Sequence, residues 1–430
     1  YLSTITNSKI LNYQKIFYYS PYKVFNANQT ISYIRKGNAN IYIDNVESAQ
    51  NYLFKSATSS NVNIGITKAI KQALSFKIRQ ANQTLKKLVK QQPKHSILQY
   101  DLALTYAQMG DMELAHEHFL RSYYLDAKNY LSGIYAILTS QLINQENSKL
   151  KSILKDSLAE EAPSEQKEFY ITILNIAQNN YISSVDWLDN DYQQKPIYLA
   201  LDVIISLKLN KMKKAKEASE KLTALLPTDI LPHIMYIDSH FYDLQSTEYA
   251  SKVLNYLKEQ KFDFTDLYYG PYITRYLYIQ ENLITGKLYF LAQQLETKLQ
   301  ESNTQTEEII NALALTYLFG EQFEKAYTLY NSLIDEVKIR DVYTLFLGAI
   351  ASTAAGHHGN AIALLELANL KNKSFSESRY ALGLLYLELK NNEAATIQFA
   401  HIDANYFLSQ YFDFEIDLDA LLFKKQHPKE

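Results

Sequence analysis

Leu102-Ala103-Leu104-Thr105-Tyr106 is repeated letter for letter as Leu313-Ala314-Leu315-Thr316-Tyr317. In both copies an alanine stands nine residues after the tyrosine, at Ala115 and Ala326. A third stretch keeps the grammar with other letters, because Leu382, Gly383 and Tyr386 lead to Ala395 and Phe399 as Leu102, Ala103 and Tyr106 lead to Ala115 and Phe119. A small residue where two helices meet lets the backbones approach, and large rings on either side fill the remaining space. Leu102, Tyr106, Ala115 and Phe119 are therefore expected in the core, with Leu313, Tyr317, Ala326 and Tyr330 as their counterparts. Apolar residues at helical spacing, as in Ala81, Leu85 and Leu88, read as helix rather than strand.

Taking the alanine of the second helix as register mark places anchors at 81, 115, 215, 250, 292, 326, 361 and 395. Neighbouring steps are mostly 34 or 35, with a longer step from 250 to 292 and two degenerate units, marked by Lys149 and Ser183, between 115 and 215. A leucine, a small residue, a tyrosine, then alanine and an aromatic at these offsets resembles the tetratricopeptide repeat, a helix–turn–helix unit. Pro93 and Pro227 match the proline that closes its second helix, whereas Ala127 and Lys338 do not. The resemblance implies an all-α, right-handed superhelical solenoid of about ten helix pairs over 64–409. Residues 1–63, with ISYIR (31–35) and NIYID (40–44) alternating like short strands, are expected to be a cap or the tail of a further domain. YFDFEIDLDALL (411–422) is expected to lie in a C-terminal cap over 410–430.

The composition agrees with long helices. Of 430 residues only 11 are Gly and 8 Pro, while 47% are hydrophobic, enough apolar surface to offset the entropy of ordering. A formal charge of −3 with no basic stripe argues against nucleic acid or an anionic membrane as partner. No run approaches the ~20 apolar residues of a membrane span. Position 1 is Tyr, so a leader or membrane anchor is expected to lie outside this sequence. The chain has no cysteine, which leaves the redox compartment open.

Catalytic constellations are not found, and the expectation is a protein without enzymatic activity, metal or cofactor. Thr285-Gly286-Lys287 resembles the end of a phosphate loop, but Glu281 stands where its first glycine belongs and Leu288 where a hydroxyl would hold magnesium. His116 and His118, two apart on a helix, point to different faces and read as surface residues. His357 and His358 fall in a turn. The segment DLYYGPYITRYLYIQ (266–280) gathers Tyr268, Tyr269, Tyr272, Tyr276 and Tyr278 around Gly270-Pro271. It reads either as an interface of rigid tyrosines or, the leading reading, as packing of a long kinked first helix in the irregular unit.

In the tetratricopeptide family the inner face of the superhelix is lined by fixed positions of each first helix. Carried over, these are Ile97, Tyr100, Leu104, Ala107 and Gln108; Glu308, Asn311, Leu315, Leu318 and Phe319; and Glu377, Tyr380, Leu384, Leu387 and Glu388. The resemblance thus implies partner contacts at Tyr100, Leu104, Gln108, Asn311, Leu315, Phe319, Tyr380 and Leu384, to which Tyr268, Tyr269 and Tyr272 are added. The apolar lining favours an amphipathic helix or another repeat protein over a carboxylate-clamped peptide. Residues 100–133 together with FDFEID (412–417) are also similar to the paralysed-flagellum scaffold proteins of bacteria. That similarity implies a periplasmic, membrane-tethered scaffold that helps position stator complexes of the flagellar motor. The alternative is a regulatory or recruitment repeat appendage of an enzyme, or of a cell-envelope assembly system unrelated to motility.

Overall fold

The structure is a computed structural model and describes residues 61–143, 145, 147–189, 195–303 and 306–402. The strand-like stretches before residue 61 and the tail after 402 lie outside them. Among the described residues the regular structure is helical throughout. They fall into two compact units, one running to Glu281 and the other from Asn282 onward together with 143 and 145.

In the first unit α1 (Asn61–Leu74) is followed by α2 (Ile78–Gln91), α3 (Ser96–Met109) by α4 (Met112–Leu125), and α5 (Tyr130–Leu142) by α6 (Ser148–Glu160). Next come α7 (Glu165–Ala177) with a 3₁₀ segment (Ile182–Asp189), α8 (Pro196–Lys208) with α9 (Met212–Leu225), and α10 (Ile230–His240) with α11 (Ser246–Glu259). The short α12 (Thr265–Tyr269) follows, and α13 (Tyr272–Ile284) begins in this unit and ends in the second, which starts at Asn282. In the second unit α14 (Leu288–Glu301) precedes α15 (Glu307–Phe319) with α16 (Phe323–Asn331), α17 (Val342–Ala354) with α18 (His358–Lys371), and α19 (Ser376–Glu388) with α20 (Asn392–Phe399).

One turn builds the pairs. After the first helix a single residue adopts the left-handed conformation: Phe76, Gly110, Asn179, Asn210, Gly286, Glu321, Gly356 and Lys390. The next residue then donates its N–H back across the turn, as in Asp111 to Tyr106 O (3.0 Å), Gln322 to Tyr317 O (2.9 Å), His357 to Ser352 O (2.7 Å) and Asn391 to Tyr386 O (2.8 Å). This bond satisfies a carbonyl that the helix end would leave without a partner and stops the helix at a fixed length. Several second helices then start on a side-chain cap. Asp111 Oδ1 accepts from Leu114 N (3.1 Å) and Asn391 Oδ1 from Ala394 N (3.2 Å).

The register alanines pack as expected at Ala81, Ala115, Ala215, Ala326, Ala361 and Ala395, each fully buried. Two anchors slip by one. Counted from the start of its helix, the equivalent of Ala115 in α11 is the buried Tyr249, with Ala250 half-buried, and in α14 it is Leu291, although Ala292 is buried as well. The degenerate marks Lys149 and Ser183 are exposed. Leu150, Leu154 and Leu158 supply the buried stripe of α6, and Ser184 and Trp187 the buried side of the 3₁₀ segment. The longer step after α11 is taken up by α12 and the break at Gly270-Pro271, so the expected single kinked helix is two helices. A Cβ on Gly270 would lie 2.4 Å from Asp266 O.

Candidate functional site

Two of the first helices, α3 and α5, are buried on every side. In α3 every residue from Ile97 to Gln108 is buried, and in α5 every residue from Leu131 to Ser140. The expected partner contacts therefore sit largely inside the chain. Tyr100 is fully buried, its ring 5.8 Å from Phe119 and 6.4 Å from Tyr135, and Leu104 and Gln108 are buried beside it. Leu315, Phe319 and Tyr380 are also buried, the last with its ring 6.1 Å from Phe399. Asn311, Leu384, Tyr268 and Tyr269 are half-buried. Tyr272 is buried, stacks on Tyr276 at 5.7 Å and lies against the turn at Gly110. These positions hold helices together, so charging Tyr100 or Leu104 would disrupt packing before it reported on a partner.

The histidines are better integrated than surface residues. His116 Nδ1 lies 2.9 Å from Ala136 O on α5, while His118 Nδ1 is 2.7 Å from Gln99 Oε1 on α3 with its ring stacked on Tyr106 at 5.5 Å. The two point to different helices, as their spacing requires. His357 stacks on Tyr327 at 4.0 Å and faces Glu324 at 3.1 Å. Among the described residues no group of three or more His, Asp or Glu side chains is placed to hold a metal ion.

One acidic cluster is buried in the first unit. Tyr249 donates its hydroxyl to Glu281 Oε1 at 2.9 Å, and burial, reinforced by the nearby Asp238 carboxylate, pushes Glu281 up to about 8. Glu281 and Asp238 are both within the helix packing, at 0% and 1% exposure, where water and substrate do not reach.

Most of the exposed large apolar side chains are on the second helices, the others being Ile64 on α1, Ile182 in the 3₁₀ segment and Leu389 at the end of α19. Tyr124 and Leu125 are exposed on α4, Ile153 on α6, Leu225 on α9, Tyr289 and Phe290 on α14, Leu370 on α18 and Ile397 on α20. The sequence reading did not single these out. The signal for one of them was present, because Tyr289 is the second residue of its helix, where Glu113, Glu324 and Glu393 stand in α4, α16 and α20.

The pair α3–α4, with its left-handed glycine, aspartate cap and buried Ala115 and Phe119, coincides with a match to a known repeat. Residues 98–129 match the tetratricopeptide repeat. The tetratricopeptide match spans the segment whose grammar recurs at 313–330 and 382–399. Among curated proteins none matches the chain. Solved structures to which it is similar include a tetratricopeptide repeat protein from Parabacteroides merdae (14% identity, 80% of this chain, 99% of that chain, TM-score 0.33). Others are the Cut9–Hcn1 hetero-tetramer of APC/C (12%, 88% and 93%, TM-score 0.35) and yeast Tom70 (13%, 94% and 71%, TM-score 0.31).

Proposed function

We propose that this chain is a non-enzymatic scaffold that holds protein partners on its outer helix faces. The observation that carries this reading is the division of labour between helices. First helices such as α3 and α5 are consumed by packing, while most of the exposed large apolar side chains stand on second helices, among them Leu370 at 75%, Tyr124 at 69% and the adjacent Tyr289 and Phe290 at 63% and 59% exposure. Adjacent exposed apolar side chains, as at Tyr289 and Phe290, are the kind of surface that contacts other proteins. No described helix is long and apolar enough to cross a membrane.

The finer reading is a periplasmic component of a bacterial flagellar motor that helps assemble or position stator complexes. It is supported by the wording of residues 100–133, which resembles the paralysed-flagellum scaffold proteins. In this reading the partner is another repeat protein or an amphipathic helix, and a membrane tether lies outside the present sequence. The test is affinity capture with this chain as bait in a lysate of its own organism, with bound proteins identified by mass. Recovery of motor components supports the motor assignment. Recovery of an enzyme or cytoplasmic chaperone in their place overturns it.

A further inference from the structure

The formal charge of −3 conceals a separation of charge along the chain. Residues 61–100, which hold α1, α2 and the start of α3, contain eight Lys and Arg side chains and no Asp or Glu, so all 46 acidic side chains lie elsewhere. The absence of a basic stripe, expected from the near-neutral total, is corrected by α2. Its Ile78, Ala81, Leu85 and Leu88 are buried in the helix packing, and its exposed side chains are Lys86, Lys87 and Lys90 with Gln80, Gln83 and Gln91. Lys94, also exposed, extends this outer face into the following turn. Every other second helix among the described residues carries at least one carboxylate. The stripe has a definite edge. The Lys86 ammonium lies 5.9 Å from the centre of the Tyr106 ring, that ring stacks on His118 of α4, and α4 itself shows the mixed pair Glu117 and Arg121 to solvent.

We propose that the outer face of α2, with Lys94, is a peripheral contact for anionic lipid headgroups that holds this helix pair against a membrane surface. The inference is independent of the scaffold and motor readings. Each lysine that reaches an anionic leaflet raises partitioning about fivefold, and charges more than about 10 Å away are screened, so the acidic remainder of the chain does not cancel the stripe. Composition separates lipid from the other polyanions. Protein interfaces favour arginine and aromatic rings and are poor in lysine, whereas this face shows lysine and glutamine, with Arg79 half-buried. Nucleic acid is held by stacking rings or by a helix that enters a groove. The two aromatic residues of 61–100, Phe76 and Tyr100, are half-buried and buried, and α2 is packed against both α1 and α3, which leaves it too broad a surface for a groove. Ammonium groups on flexible stems require no fixed partner geometry, which suits mobile headgroups. The contact is with the surface only, because the apolar residues of α2 are committed to the packing and no described helix is long and apolar enough to cross a bilayer.

The experiment is co-sedimentation of the full chain with vesicles of phosphatidylcholine alone and of phosphatidylcholine with about a third phosphatidylglycerol, at about 0.1 M and about 0.5 M salt. The expected result is binding to the anionic vesicles at the lower salt, its loss at the higher, and none to phosphatidylcholine. Lys86→Gln/Lys87→Gln/Lys90→Gln should lower the partition coefficient about 100-fold, at about fivefold per lysine, with an unchanged circular dichroism spectrum. Lys155→Gln/Lys213→Gln/Lys221→Gln removes the same charge from exposed sites on α6 and α9 and should lower it less than about threefold. If the first triple variant fails to fold, Lys94→Gln alone keeps the test open with an expected loss of about fivefold. Failure to bind anionic vesicles, equal losses in the two triple variants, or binding to duplex DNA or polyglutamate without binding to the anionic vesicles each overturns the proposal.

Discussion

Trp187 donates its indole N–H to Asp202 Oδ1 at 2.7 Å, joining the 3₁₀ segment to α8. The indole is buried, its ring edge-on to Tyr198 at 5.1 Å, and it is the chain's one tryptophan. Burial pushes the Asp202 carboxyl up to about 6, against the opposing pull of the indole hydrogen bond and of Lys214 and Lys221. A carboxylate that gains its charge beside an indole changes the indole's emission. Intrinsic fluorescence of the folded chain is therefore expected to step near pH 6, and Asp202→Asn should remove the step while keeping an acceptor for the indole. The sign for stability follows from the raised value. The folded state holds this proton more tightly than the unfolded chain, so stability is lost as pH rises from about 4 through about 6, and Asp202→Asn should melt higher than the parent at pH 7.5. A fluorescence step that persists in Asp202→Asn would assign it to another group.

The turns carry a second prediction. Glu321 and Lys390 are exposed and hold φ of 59° and 58°, where Gly286 and Gly356 occupy the same place in neighbouring pairs. A residue with a Cβ in this conformation costs about 1 kcal/mol relative to glycine. Glu321→Gly and Lys390→Gly should each raise stability by about that amount, less the entropy glycine adds to the unfolded chain. Gly356→Ala, at φ 83° with open space around it, should lower stability by a similar amount through backbone strain alone. Urea titration of the four proteins decides. A lower midpoint for both glycine variants would mean that the turn is not the stabilising element described above.

The array was legible in the sequence because its packing rule is local and periodic. Ala115 and Ala326 must be small wherever two helices cross closely, and Tyr106 and Tyr317 must follow at a fixed offset, so the constraint is written into each copy. Ala250 and Ala292 are out of register by one because the contact position itself holds Tyr249 and Leu291, and an alanine happens to follow each. The solvent-facing surface was not legible. Whether Tyr100 or Leu104 lines an open face depends on what covers the other side of α3, which no local spacing encodes, and family positions carried onto a helix buried all round select packing residues. Tyr289 and Phe290 become visible only when α14 is aligned with the other second helices and the missing glutamate is noticed.

Four histidines shifted by burial make the first unit resist protonation. Burial holds His95, His116, His118 and His233 below the ordinary histidine value, and no nearby carboxylate reverses this. The unfolded chain takes up protons on these rings first, at about 6.5, while the folded chain resists. Stability from the four is present above that value and lost as pH falls through it. His233 shows why. Its Nδ1 meets the Tyr256 hydroxyl at 2.7 Å and its Nε2 meets Pro227 O at 3.1 Å, an arrangement that uses one nitrogen as acceptor and one as donor and suits the neutral ring. Glu281 and Asp202, raised by burial, contribute stability of the opposite sign over the same range, so the test is the difference between proteins: relative to the parent, His118→Gln, whose amide can still meet Gln99, should gain melting temperature between pH 7.5 and 5.5. The same pH dependence in variant and parent would exclude His118 from the effect.

The contact between α19 and α20 gives the sharpest packing test. A Cβ on Gly383 would lie 2.5 Å from Phe399 Cε1 and 2.8 Å from its Cζ. Phe399 is buried and also touches the Tyr380 ring, so it has little room to retreat. Gly383→Ala should therefore cost about 1–3 kcal/mol by overpacking, despite alanine's higher helix propensity. Phe399→Leu alone opens a cavity and is expected to cost about 1–2 kcal/mol. If the clash is the cause, the double variant Gly383→Ala/Phe399→Leu will be more stable than the two single costs predict, by at least about 1 kcal/mol of coupling. Additive costs would mean that Gly383 matters for its backbone and not for the ring it admits.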